Sequence, residues 1–259
     1  MFQGSAAVVN EGTGQDPQLA AIFARVVRPI IYLFDIDGTL VTTAGAGRKA
    51  LCTTFEQRYG SSKGLDFPFD GMTDRAIVSI ALSAMDVIAA SATIEEEIDA
   101  VLDLYVEELA MHARLSAGAF EVHEGVVAVL DQVAASGRGV LGLGTGNIQR
   151  GAQIKLGAVN LYHRFSFGGF GCDHTDRTQV LAVGALRGAA LLGRDVRECD
   201  VLVIGDTPKD IAAAHGIGAR CLAVATGSYS ITELEAAGAD LTVPTLNDPR
   251  GLAMLVPRG

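Results

Sequence analysis

Basic residues are in the minority in this 259-residue chain: 20 Lys and Arg stand against 30 Asp and Glu, for a net charge of −10. That balance excludes the electropositive footprint of a nucleic-acid binder and argues against docking on anionic membranes. Cysteine is scarce. Cys52, Cys172, Cys199 and Cys221 form no CxxC pair, and no His/Cys group has zinc spacing. The expectation is a reduced, cytoplasmic compartment, with each thiol serving as a small buried apolar group. No apolar run approaches the roughly 18 residues of a membrane span. Met1 to Asp16 lacks basic residues ahead of an apolar core, so no signal peptide is expected there. Residues 1–28 read as a flexible tail, with Leu19 to Val27 as a candidate amphipathic helix. Internal repeats are absent.

What is present is apolar material in alternating blocks. Hydrophobic residues make up 49% of the chain, enough for a sizeable core. Short β-branched runs alternate with Ala-rich helical stretches, the pattern of a parallel sheet covered by helices. Strands are expected at Ile30 to Phe34, Gly139 to Gly144, Arg164 to Phe167, Val201 to Ile204, Cys221 to Val224 and Leu241 to Val243. Helices are expected at Val126 to Ala135, Gln179 to Leu192, Lys209 to His215 and Thr232 to Ala237, most of them stopped by a glycine. The stretch 45–120 contains no convincing strand. Arg48 to Tyr59, Asp74 to Met85 and Ile94 to Leu115 read as helices there, the last with Thr93 as its N-cap. The fold class expected is α/β: a Rossmann-like three-layer core with a parallel central sheet, over residues 29–44 and 121–259, plus an inserted all-helical cap at 45–120.

Three strand ends carry candidate chemistry. Asp35-Ile36-Asp37-Gly38-Thr39-Leu40 follows the first strand directly, at the end of an open α/β sheet where ligands bind. Residues i and i+2 of an extended chain point the same way, so Asp35 and Asp37 start on one side. One such carboxylate can attack phosphorus and the other can shuttle a proton. A turn cap is the plainer alternative for DxD alone. Gly205-Asp206-Thr207-Pro208-Lys209-Asp210 follows another strong strand, and its acids suit the oxygen-only coordination of Mg²⁺. The plainer alternative here is a helix N-cap. Gly144-Thr145-Gly146-Asn147, at a third strand end, offers a hydroxyl and backbone N–H groups for a phosphoryl oxygen. Asn147 stands where GxGxxG requires its last glycine, so a dinucleotide site is disfavoured. An acidic protein with an anionic substrate needs such local donors or a metal.

With these three elements in order, the chain resembles the haloacid dehalogenase-like (HAD) hydrolases, and within them the phosphoglycolate phosphatase-like group with a helical cap, over roughly residues 30 to 245. The resemblance implies Asp35 as nucleophile and Mg²⁺ ligand, and Asp37 as general acid/base with its carbonyl on the metal. It implies Thr145, with Gly146 and Asn147, at the phosphoryl group, and Asp206 and Asp210 on Mg²⁺ or its water. The family's third motif supplies a Lys, and no Lys lies between Lys155 and Lys209. Arg177, at the start of a predicted helix, is assigned that role, since it offers bidentate phosphate contacts. The stretch Asp70 to Arg75 resembles the family's cap loop, which makes Thr73 and Arg75 candidates for substrate contact. An exposed Arg beside a helix cap is the plainer reading. His174 reads as a loop hydrogen-bonder.

The expected activity is Mg²⁺-dependent hydrolysis of a small phosphomonoester, phosphoglycolate or similar, through an aspartyl-phosphate. A sugar-phosphate mutase and a catalytically silent phosphate-binding module are the alternatives. A dehalogenase is disfavoured, because Asp37 and Asp206 would lack a purpose. The partner expected is a small phosphorylated metabolite, with no nucleic acid and no membrane. The oligomeric state stays open, a homodimer included.

Overall fold

A computed structural model describes residues 28–87, 93–115 and 117–256. The flexible tail expected at 1–28 falls almost wholly outside the described residues, as does the helix expected at Leu19 to Val27. The centre of the molecule is a six-stranded parallel sheet. Its strands are β1 (Ile30–Phe34), β4 (Gly139–Gly144), β5 (Phe167–Gly169), β6 (Asp200–Gly205), β7 (Arg220–Val224) and β8 (Leu241–Val243), in the order β5-β4-β1-β6-β7-β8. A short antiparallel ribbon pairs β2 (Val41–Thr42) with β3 (Glu121–Val122).

The period-2 rule explains why β1 sits in the middle. All five of its residues are buried, and they divide between the two faces. Ile30, Tyr32 and Phe34 pack with α4 (Val126–Ser136), α5 (Gln149–Ala158) and α9 (Pro249–Leu255). Ile31 and Leu33 pack with α6 (Arg177–Leu191), α7 (Pro208–Gly216) and α8 (Ile231–Ala236). The result is a three-layer α/β core.

Between the two strands of the ribbon run α1 (Ala46–Tyr59), α2 (Asp74–Ala84) and α3 (Ile94–Leu115). These form a third apolar cluster of their own, centred on Leu51, Phe55, Leu82, Tyr105 and Leu109. Thr93 caps α3 as its sequence suggests: the Glu96 amide donates to its hydroxyl at 3.2 Å and its own amide donates to the Glu96 carboxylate at 3.1 Å. The helical cap seats on the core partly through Ile148 and the partly buried Ile154 and Val159.

Two expectations need correction. The third strand is not Arg164 to Phe167 but Phe167–Gly169, because Tyr162–Arg164 forms a 3₁₀ turn. Its glycines are a packing requirement: a Cβ on Gly169 would lie 2.0 Å from the Val180 carbonyl oxygen of α6. The helix α5 was also not expected. Its ten residues contain Gly151 and Gly157 and only a faint apolar stripe, so periodicity alone misses it.

Candidate functional site

The sheet register builds the site. Phe34 pairs with Leu143 on one side and Ile204 on the other, so β4 and β6 end level with each other, one residue beyond β1. Asp35, Thr145 and Asp206 are the residues that emerge there. Both Asp35 and Asp206 are buried. The Asp35 amide donates to the Ile204 carbonyl at 2.9 Å, which extends the ladder one step past β1.

After Asp35 the chain turns back through Gly38, whose φ is +78°. A Cβ there would also lie 2.2 Å from Asp206 Oδ2, so the position needs glycine twice over. The Thr226 hydroxyl donates to the Gly38 carbonyl at 2.5 Å, and the Thr39 hydroxyl donates to Asp206 Oδ1 at 3.1 Å. The opening turn of α7 is capped by Thr207. Its amide and hydroxyl donate to Asp210 Oδ2 at 3.0 and 2.7 Å.

Three carboxylates thereby converge. One oxygen each from Asp35, Asp206 and Asp210 lies within 4.8 Å of the others. Arg177, at the first turn of α6, is the cation among them: its Nη2 contacts Asp35 Oδ1 at 3.1 Å and bonds Asp210 Oδ1. Burial drives the Asp35 carboxyl up to about 6, with Arg177 opposing and Asp210 and Asp37 adding to the rise. Burial, then Asp210 and Asp35, push Asp206 up to about 9. Three buried acids against one guanidinium leave an excess of negative charge, and hard oxygen donors are what a divalent cation such as Mg²⁺ requires. The residues fit such an ion. Asp210 has both oxygens engaged by Thr207 and Arg177, so it stands behind Asp35 and Asp206.

Asp37 faces elsewhere. Its carboxylate is not part of that triad. Lys155 Nζ, from α5, lies 2.6 Å from Asp37 Oδ2. Asn147 Nδ2 donates to the same oxygen at 2.9 Å, and the Thr43 hydroxyl donates to Oδ1 at 3.2 Å. Burial raises the Asp37 carboxyl, but Lys155, Asn147 and Thr43 together hold it below the usual carboxylate range. Asn147 Nδ2 also donates to the Thr145 hydroxyl at 2.9 Å. Thr145 stands beside Asp35 and works against the rise of its carboxyl.

Asp35, Asp37, Gly146, Asn147, Arg177 and Asp206 line one cavity of about 470 Å³ between core and cap. Thr145 and Asp210 back it through the contacts just given. The remaining candidates fall outside its lining. The Thr73 hydroxyl caps α2, accepting from the Ala76 amide, and donates to the Thr175 carbonyl at 2.8 Å. Arg75 is ion-paired to Glu95 and Asp99 on α3. The cap loop meets the core instead at Gly146: the Asp74 amide donates to the Gly146 carbonyl at 2.8 Å, and a Cβ on Gly146 would lie 2.1 Å from the Met72 carbonyl oxygen. His174 accepts from the Asp176 amide at 2.9 Å as a loop hydrogen-bonder. The residues that sequence reasoning missed are Lys155, Tyr105 and Asp74, all on the cavity lining. Their signal was weak: Lys155 lies on the unexpected α5, Tyr105 reads as cap core, and Asp74 as a helix-start acid.

Residues 180–249 match the family model described as HAD-hydrolase-like, a span that includes Asp206 and Asp210. Solved structures agree with this over nearly the whole chain. A hydrolase from Pseudomonas syringae is 19% identical, covering 88% of this chain and 100% of its own, with a TM-score of 0.61. The fold is that of the HAD-like hydrolases. A predicted phosphatase from Clostridium acetobutylicum is 19% identical over 85% of this chain and 95% of its own, at a TM-score of 0.61. CbbY from Rhodobacter sphaeroides, solved with xylulose-(1,5)bisphosphate, is 17% identical over 88% and 99%, at 0.64. No curated protein matches the chain. No described helix is long and apolar enough to cross a membrane.

Proposed function

We propose that this protein is a Mg²⁺-dependent phosphatase that hydrolyses a small phosphomonoester, phosphoglycolate or similar, through an aspartyl-phosphate on Asp35. The observation that carries the reading is the convergence of Asp35 with Asp206 and Asp210 at the ends of β1 and β6, in a cavity large enough for a phosphorylated metabolite.

Asp35 attacks phosphorus, and the phosphoryl group passes to its carboxylate. Arg177 balances charge beside it and is itself oriented by Asp210. Thr145, with the backbone at Gly146 and Asn147, holds the transferring group. Asp37 delivers a proton to the leaving oxygen and then takes one from the hydrolytic water. Asn147 and Lys155 keep its carboxylate aimed. Asp35, Asp206 and the Asp37 carbonyl would hold the Mg²⁺, which when bound offsets charge on the phosphoryl oxygens. The residues within about 45–120 form the cap, which excludes water from the reaction. The core comprises about 29–44 and 121–259. In this reading Thr73 ties the cap loop to the core and Arg75 braces α2 against α3, and neither touches substrate. All four cysteines are free, two of them buried, which suits a reducing cytoplasmic setting.

The test is turnover of 4-nitrophenyl phosphate with and without Mg²⁺. Activity that needs Mg²⁺ and vanishes in Asp35→Asn supports the reading. An Asp35→Asn variant that retains wild-type turnover would end it.

A further inference from the structure

Tyr105 is fully buried among the apolar side chains of the cap, yet its hydroxyl has no hydrogen-bond partner among the described residues. It lines the same cavity as the catalytic acids. Asp74 and Asp37 reinforce the effect of burial and hold the phenol well above its ordinary value, so the group is a proton donor at neutral pH. Lys155 Nζ comes to the same place. A methyl group on Gly47 of α1 would sit 3.3 Å from Lys155 Nζ and 3.5 Å from Tyr105 Oη. A buried hydroxyl without a partner calls for an acceptor. A methyl-sized space over Gly47 lies between the two donors.

The surrounding charges decide what kind of acceptor fits. Asp37, Asp74 and Asp70 line the cavity, and the first two act on Tyr105 directly. Lys155 is already paired with Asp37, and Arg177 with Asp35 and Asp210. Arg48, the other basic group on the lining, is exposed. It donates to the Leu65 and Phe67 carbonyls and stacks on Phe69. A second carboxylate placed beside Tyr105 would face Asp74 and Asp37, and the cation at this point, Lys155, is already balanced by Asp37. A hydroxyl can accept from Tyr105 or Lys155 and donate to a carboxylate at the same time.

We propose that Tyr105 Oη and Lys155 Nζ form a subsite for a hydroxyl on the leaving-group side of the substrate, which makes phosphate esters of small polyols or sugars the favoured class over phosphoglycolate. The proposal rests on the phosphatase reading of the cavity. A site built to hydrogen-bond a hydroxyl discriminates strongly against analogues that lack it.

The test compares kcat/KM for glycerol phosphate, a hexose phosphate, phosphoglycolate and 4-nitrophenyl phosphate. Wild type should prefer a polyol or sugar ester over phosphoglycolate by about tenfold or more. Tyr105→Phe removes one oxygen that no described residue hydrogen-bonds. It should lower the ratio of the polyol ester to 4-nitrophenyl phosphate about tenfold. Gly47→Ala, at a helical position, fills the gap and should do the same while leaving Tyr105 in place. Preference for phosphoglycolate, or an unchanged ratio in both variants, overturns the subsite. Calorimetric binding of the same esters to Asp35→Asn separates the two claims. Tyr105-dependent binding without any hydrolysis by wild type would sink the phosphatase reading and keep the subsite. Hydrolysis with Tyr105-independent selection would do the reverse.

Discussion

Lys155→Met tests how Asp37 is held. In the folded protein Lys155 Nζ sits 2.6 Å from Asp37 Oδ2, with the Lys side chain 6% exposed and the Asp side chain 42% exposed. A hydrogen bond to a charged group is worth about 1.5–3 kcal/mol. Water reaches nearly half of Asp37, so screening reduces this to about 1–1.5 kcal/mol. The sign follows from linkage. Asp37 titrates below its unfolded value of 3.8, so its contribution to stability is present above that pH and is lost as pH falls through the folded value. Without Lys155, the strongest influence opposing burial is gone, the folded value climbs, and the contribution shrinks. Asp74, raised by burial to about 6, is also held down by Lys155, so its change acts in the same direction and extends the window upward. Absolute stability is a poor readout, because Met also removes a buried charge. The slope is not. In urea titrations with chelator present, wild type should lose about 1–1.5 kcal/mol more than the variant between pH 7 and pH 3. Parallel stability–pH curves would refute the pairing of Lys155 with Asp37.

Two other substitutions probe the same loop. Asp37→Asn should slow turnover at least about a hundredfold while Mg²⁺ affinity, measured by calorimetry, changes little, since only its carbonyl is assigned to the metal; near-normal rates would remove the acid/base role. Gly38→Ala places a Cβ against Asp206 at a left-handed backbone position, and should cost roughly 1–3 kcal/mol in thermal unfolding along with most activity; an active, equally stable variant would show that the loop can relax.

The sheet and the acids were legible because local signals agreed with tertiary demand. Ile30 to Phe34 is an unbroken apolar run whose only stable home is between two neighbours. Asp35 and Asp206 each follow such a run, so placing the strands placed the acids. What failed was carried by glycine. The strand β5 uses Gly169 to let α6 approach and Gly168 to make room for Phe170, and α5 carries two glycines in ten residues, so neither shows a clean period. Missing α5 concealed Lys155, whose partner lies 118 residues away. The basic group beside Asp35 was sought in the stretch before β6, where Arg177 lies as expected; the second one, beside Asp37, was not. Arg75 and Thr73 were drawn toward the site by the cap-loop pattern, but ion pairs with Glu95 and Asp99 and a helix cap already use them.

Acid-quenched protein taken during turnover of 4-nitrophenyl phosphate, digested and weighed by mass spectrometry, addresses the nucleophile itself. One phosphoryl group is expected on the peptide that contains Asp35, absent without Mg²⁺ and absent in Asp35→Asn. Phosphoryl label on a different residue in the active wild type would contradict it.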